Sequence, residues 1–191
     1  MQKEGAVHRL DSLVAQAQKG DTQAFAQVYE ELFDRVLRYM LLRVGEQAEA
    51  EDLTQEVFTR VWENLPRYQQ RGMPFAAWVF RIARNLVTDR YRRSATAEHL
   101  PLDAVFGLAS TADPAEDALI TLDAQRLHKA LAQLTDLQRQ VLLLRFGAGM
   151  SIQETAQVLQ KSEGAIKALQ HAGVENLRKL LTAKIPSGNA P

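Results

Sequence analysis

DLTQEVFTRVWENL, residues 52–65, places Leu53, Val57, Val61 and Leu65 four positions apart, with Phe58 and Trp62 beside them. That spacing predicts an α-helix with one face turned to a core. The opposite side carries Asp52, Gln55, Glu56, Thr59 and Glu63, again at helical spacing. Folding accounts for the first stripe. The second is open to water or to a partner.

Working outward, every periodic segment is helical. Phe25, Val28, Leu32, Val36, Met40 and Leu41 predict a long helix opened by Asp21 and closed at Gly45. The helix around residue 55 should stop at Pro66, and a third begins with Pro74 in its first turn. Its apolar positions are Phe75, Trp78, Val79, Ile82, Leu86 and Val87. Short polar loops join the three, which should pack as an antiparallel bundle over residues 1–93. Periodicity is then lost over residues 94–113, read as an acidic flexible linker. Asp113-Pro114-Ala115-Glu116 reads as a helix start, followed by helices at about 115–134, 136–147, 152–159 and 163–181. Thr135–Gln138 and Ser151–Glu154 are two further capping boxes. The expected architecture is all-α: two small helical domains, 1–93 and 114–184, joined by the linker, with a disordered tail at 185–191.

Composition narrows the function classes. The chain has 191 residues, no cysteine and four scattered histidines, so neither a disulfide framework nor a metal cluster is expected. No apolar run approaches the roughly 18 residues of a membrane span, and the N-terminus lacks a signal-peptide core, which predicts a cytoplasmic protein without membrane insertion. Net charge is zero but unevenly placed. Residues 1–66 carry 7 Lys/Arg and 12 Asp/Glu, and 67–93 carry 7 and 1. Residues 94–136 carry 2 and 7, and 137–191 carry 7 and 3. Two separated basic blocks fit a chain that touches a polyanion twice. The alternation also raises the expectation that the two domains pack together, acidic on basic, in the free protein.

SIQETAQVLQKSEGAIKALQ, residues 151–170, has the form of a DNA-reading helix-turn-helix. Ala156 is small where the helices cross, Leu159 and Ile166 are the apolar contacts, and Ser162 is placed to cap the second helix. A buried αα-corner shares most of this pattern. For DNA, Lys161, Ser162, Glu163, Lys167, Gln170, His171 and Arg178 are the polar side chains in reach. Gln160 stands where glycine would best accept a left-handed turn. The block at 66–93 combines Arg81, Arg84, Asn85, Arg92 and Arg93 with Tyr68, Trp78, Phe80 and Tyr91, a set suited to phosphates and unpaired bases. The loop containing Arg71, Gly72 and Met73 could hold an extruded base. Core packing is the competing reading for Trp78.

Four stretches, DLTQEVFTRVW, FAAWVFRIARNLVTDRYRR, LTDLQRQVLLLRF and SIQETAQVLQKSEGAIKALQ, together resemble a bacterial RNA polymerase sigma factor of the extracytoplasmic-function group of the sigma-70 family. The resemblance implies a sigma-two-like domain, a linker and a sigma-four-like domain. It implies that Asp52, Gln55, Glu56, Thr59 and Glu63 dock on core RNA polymerase. It implies that Tyr68, Arg71, Gly72, Met73, Trp78, Arg81, Arg84, Asn85, Arg92 and Arg93 recognise and melt the minus-ten element of promoter DNA. The helix-turn-helix residues would read the minus-thirty-five element. No cofactor or metal is implied and no enzymatic activity, and no nucleophile-base pair or phosphate loop stands out. The free protein would be a monomer, and an anti-sigma factor is an implied partner. Departures from the family pattern are Gln160 at the usual turn glycine and Leu169, Ala172 and Val174 where arginines are common. The alternative is a free-standing helix-turn-helix regulator.

Overall fold

The computed structural model describes residues 2–70, 72–94 and 125–182. The expected Asp113 cap, the tail and all of the linker but Ser94 lie outside them. Among the described residues there is no strand. Helices α1 (Gln2–Ala17), α2 (Thr22–Val44), α3 (Gln47–Asn64) and α4 (Phe75–Ser94) form an N-terminal bundle. Helices α5 (125–132), α6 (Asp136–Leu142), α7 (Ile152–Leu159) and α8 (Glu163–Thr182) form the C-terminal domain. No helix among the described residues is long and apolar enough to cross a membrane.

Local chemistry sets most boundaries. The Asp21 carboxylate accepts the backbone N–H groups of Gln23 and Ala24 at 2.9 and 3.0 Å, satisfying donors that the first turn of α2 leaves open. Gly45 ends α2 in the left-handed region at φ 84. Glu46 caps α3, and Pro66 falls in the short 3₁₀ turn Leu65–Arg67 that follows it. Pro74 lies just before α4, its carbonyl accepting Trp78 N–H at 3.1 Å. Helix α1 had no counterpart in the sequence reading. Its Leu10, Leu13, Val14 and Ala17 are buried against the bundle, a helical spacing that was present to be read.

Val28, Leu32, Val36 and Met40 of α2, Val57 and Val61 of α3 and Phe75, Val79, Leu86 and Val87 of α4 are almost wholly buried. Each such side chain contributes about 1.5–3 kcal/mol by leaving water. Trp62 departs from the expected core stripe. It is 42% exposed and lies beside Phe25, ring centroids 4.7 Å apart, at the rim where α3 runs past the bundle.

In the C-terminal domain the helix expected over 136–147 is α-helical only to Leu142. Leu143–Gly147 widen into a π-turn, with Ala148 N–H reaching Leu143 O at 2.9 Å. Arg145 draws the end of this turn in, donating to the Met150 carbonyl and, at 2.9 Å, to Gln170 Oε1. The Ser151–Glu154 capping box is reciprocal, whereas at the start of α6 the Thr135 hydroxyl accepts Gln138 N–H as a simple cap.

The two halves are in contact, and their apolar cores form one cluster. Helix α2 packs on the π-turn and α4 on α7. Arg35 donates from Nε to Ala148 O at 2.9 Å, with its guanidinium 5.6 Å from the Phe80 ring centroid. A Cβ on Gly147 would stand 2.8 Å from Leu42 Cδ1, so the absence of a side chain there permits the approach.

Candidate protein- and nucleic-acid-binding surfaces

Burial of Leu53, Val57, Phe58 and Val61 fixes the rotation of α3 about its axis. Asp52, Gln55, Glu56, Thr59 and Glu63 are consequently all exposed, in one row along the opposite face. Thr54, inside the same motif, turns inward and donates to Ala50 O at 2.7 Å. On the outer face Arg60 bridges to Glu56 at 2.5 Å and Thr59 Oγ1 donates to Gln55 O at 3.0 Å. The row is an acidic, amide-bearing strip on a rigid helix.

The surface built by α4 and its preceding loop is more mixed. Arg81, Asn85 and Arg92 are exposed. Arg84 is half-buried and donates from Nε to Gln140 Oε1 at 2.6 Å. Tyr68 is buried: its hydroxyl donates to Met73 O at 2.9 Å, and its ring meets Phe75 and Trp78 at 5.1 and 5.0 Å. Burial, with Asp11 adding to it, pushes the Tyr68 phenol up to about 12, so it stays a neutral donor that ties the loop down. Trp78 is half-buried, Met73 likewise, and Phe80 is enclosed against Tyr39 at 5.7 Å. Phe80 therefore offers no open face for stacking. Tyr91 is exposed over much of its ring, although its hydroxyl donates to Arg43 O at 2.6 Å. Gly72, at φ 90, is exposed, and its carbonyl accepts Gln157 Nε2 at 3.0 Å. Arg71 and the Arg93 side chain lie outside the described residues.

The helix-turn-helix closes as its spacing predicts. Ala156, Leu159 and Ile166 are buried at the crossing, and Ser162 Oγ accepts Ala165 N–H at 3.2 Å to cap α8. Gln160 makes the turn in the left-handed region at φ 53 and ψ 47. Lys161, Ser162, Glu163, Lys167, His171 and Arg178 are exposed, Arg178 lying 3.6 Å from Glu175. Gln170 differs from them: it is turned inward, onto Arg145.

A polar cluster between the halves was not foreseen. Buried Arg43 donates from Nη1 to Asp136 Oδ1 at 3.2 Å, and Arg139 Nη2 donates to the same oxygen at 3.1 Å. Gln140 Nε2 bonds Asp136 Oδ2 and relays to Arg84. Burial pushes the Asp136 carboxyl up, but the hydrogen bond from Arg139 and the charge and hydrogen bond of Arg43 outweigh it and hold it below the usual carboxylate range. Burial raises the Tyr39 and Tyr91 phenols against the lowering charge of Arg43. His128 sits over Gly45 and is lowered by burial and then by Arg139. The signal in the sequence was Gln140, a polar residue on the apolar face of α6 directly before Val141-Leu142-Leu143-Leu144.

Two family models match: Sigma-70 region 2 over residues 28–96 and Sigma-70, region 4 over residues 130–179. SigD of Mycobacterium tuberculosis, an ECF RNA polymerase sigma factor, is 33% identical over 180 residues, covering 92% of this chain and 85% of the relative. BldN of Streptomyces coelicolor, of the same description, is 38% identical over 179 residues, or 91% of this chain and 66% of its own length. Among solved structures, CnrH in complex with the cytosolic domain of CnrY superposes with a TM-score of 0.70 at 26% identity, covering 90% of this chain and 96% of that one. RpoE of Bartonella quintana, solved with the anti-sigma factor NepR, has the same fold at a TM-score of 0.68 and 22% identity, covering 84% and 98%. With both family regions present in order, each over helices whose packing matches its motif, the chain belongs to the extracytoplasmic-function group of the sigma-70 family of RNA polymerase sigma factors.

Proposed function

We propose that the exposed row Asp52, Gln55, Glu56, Thr59 and Glu63 is the docking strip for core RNA polymerase, through which the chain directs the enzyme to its promoters. The observation that carries this is the division of α3 into a buried apolar stripe and five exposed polar residues on one line. Such a strip complements basic and polar groups on a partner helix and gains specificity from charge. In the same reading Arg81, Arg84, Asn85 and Arg92 follow the phosphates of the minus-ten strand. Gly72 and Met73 frame the pocket for one extruded base, and Tyr68 and Trp78 support its wall. Unstacking a base costs a few kcal/mol and is offset by stacking and by arginine contacts, so melting needs no nucleotide hydrolysis. Helix α8 reads the minus-thirty-five duplex with Lys161, Ser162, Glu163, Lys167 and His171, Arg178 holding phosphate, and Gln170 acting through Arg145 to set the pitch of the helix.

The working units are residues 1–93 and 114–184, with residues 94–113 as the tether and 185–191 as a tail. The chain supplies no catalytic group; bond formation belongs to the polymerase, which also places the protein in the cytoplasm. The free chain is a monomer. An anti-sigma factor, the partner class with which RpoE was solved, would silence it by covering these faces.

Reconstitution with purified core polymerase tests the assignment. Asp52→Arg with Glu56→Arg should weaken core binding at least about 10-fold and abolish promoter-directed transcripts. Both residues are exposed, so helicity should be unchanged. Undiminished association would overturn the docking strip.

A further inference from the structure

Gln18 directly follows α1, where the chain turns towards Asp21 and α2. Its backbone is held in that turn from both sides. Gln18 N–H donates to Val14 O at 2.9 Å, and Asp21 N–H donates to Gln16 O at 3.3 Å, with Gly20 between them in the left-handed region at φ 95. From this fixed point the side chain reaches groups 47 and 50 residues further along the chain. Gln18 Nε2 donates to Leu65 O at 2.9 Å and to Tyr68 O at 2.8 Å. A side-chain amide has two N–H groups on its nitrogen, one for each carbonyl. Leu65 caps the end of α3 and Tyr68 follows the 3₁₀ turn, so one amide clamps both ends of that turn.

Tyr68 carries the clamp on to the loop. Its carbonyl is held by Gln18, its hydroxyl donates to Met73 O at 2.9 Å, and its ring rests against Phe75 and Trp78. The segment from Tyr68 to Met73 is thereby fastened at both ends, while Gln69, Gln70 and Gly72 within it are exposed. We propose that Gln18 is a positioning residue for base capture, setting through Leu65 and Tyr68 the mouth of the loop and hence its selectivity for the extruded base. The proposal rests on the reading of Gly72 and Met73 as the frame of that pocket. A pocket that tells bases apart by shape and hydrogen bonds needs its walls held to within about 0.5 Å. Gln18 acts through Tyr68 and not by touching the base.

Holoenzyme reconstituted with purified core polymerase tests this on a promoter library randomised across both elements, the transcribed templates being sequenced to give the base preference at each position. Gln18→Glu keeps the size of the side chain and removes both N–H groups. Gln18 is exposed, so the fold should be retained. The preference at one minus-ten position should fall at least about 5-fold, with the other positions as in the parent chain. Tyr68→Phe, which removes only the bond to Met73 O, should weaken the same position. Gln18→Lys again offers N–H donors to the two carbonyls and should recover most of the preference. Its charge attracts phosphate in general, which leaves a ratio between bases unmoved. Asp21→Ala loosens the same turn and touches neither carbonyl, so it should lower the unfolding midpoint and leave the preference intact. An equal loss of preference in Asp21→Ala would reduce Gln18 to a stabilising contact and overturn the positioning role. Preference unchanged in Gln18→Glu would overturn it as well, and Met73→Ala then separates the two readings. If Met73→Ala still lowers the preference at a single position, the base pocket stands without Gln18. If it does not, the pocket assignment falls too.

Discussion

At Gln160 a five-atom side chain occupies a backbone conformation that favours glycine. The left-handed region costs an L-residue about 1–2 kcal/mol, of which glycine's greater freedom in the unfolded chain takes back a part. Gln160→Gly should therefore raise stability by about 0.5–1 kcal/mol, read as a higher midpoint in thermal or urea unfolding. An unchanged or lower midpoint would mean that the turn is unstrained. The position was legible beforehand because a turn of this kind between two capped helices demands φ above zero, whatever residue stands there. Tyr68 shows the limit of such reading. As an aromatic beside arginines it fits a base-stacking platform, and only its burial and its bond to Met73 O reveal a loop anchor.

Helices were legible where caps and apolar spacing agreed. Asp21 and Gly45 bound α2 as their chemistry dictates, and Asp21→Ala should cost about 1 kcal/mol, since two backbone donors lose their acceptor. Equilibrium denaturation with Asp21→Asn as a control checks this: the amide oxygen keeps most of the cap, so Asn should restore most of the loss. The exposed row of α3 could be listed residue by residue from the 52–65 stretch, because a buried stripe determines its opposite face. Two elements escaped. Helix α1 is short in apolar residues before Leu10, and the π-turn at Leu143–Gly147 shares the apolar pattern of an α-helix. It coincides with Arg145 bonding Met150 O and with Leu42 lying against Gly147, contacts no local pattern contains.

Across the whole molecule, the packing of the two halves carries a pH dependence. His128, packed over Gly45 with Arg139 nearby, has a pKa below the ordinary 6.5 in the closed form. Its contribution to closure is complete above pH 6.5 and shrinks as pH falls below it, where the open form takes up a proton that the closed form resists. Asp136, held low, keeps its charge over the same range and loses it only in stronger acid. With fluorescent labels introduced at the exposed positions as Ala26→Cys and Gln153→Cys, one on each half, lowering pH from about 7.5 to 5.5 should shift the distance between them to longer values. His128→Gln should flatten that response, and a response unchanged by the substitution would assign it to another group.

By itself the sequence determined the helices other than α1, their caps, the exposed row of α3, the helix-turn-helix and the family, because each is written within one or two turns of chain. Only the tertiary structure decided that Arg84 is engaged by Gln140, that Phe80 and Tyr68 are enclosed and that the two halves share one core. Those outcomes depend on pairs 56 and 113 residues apart, Arg84 with Gln140 and Arg35 with Ala148, which no local periodicity relates. Charge blocks along the chain announced that the halves could attract. Which arginine would meet which partner was set by the packing that brings them within hydrogen-bond reach.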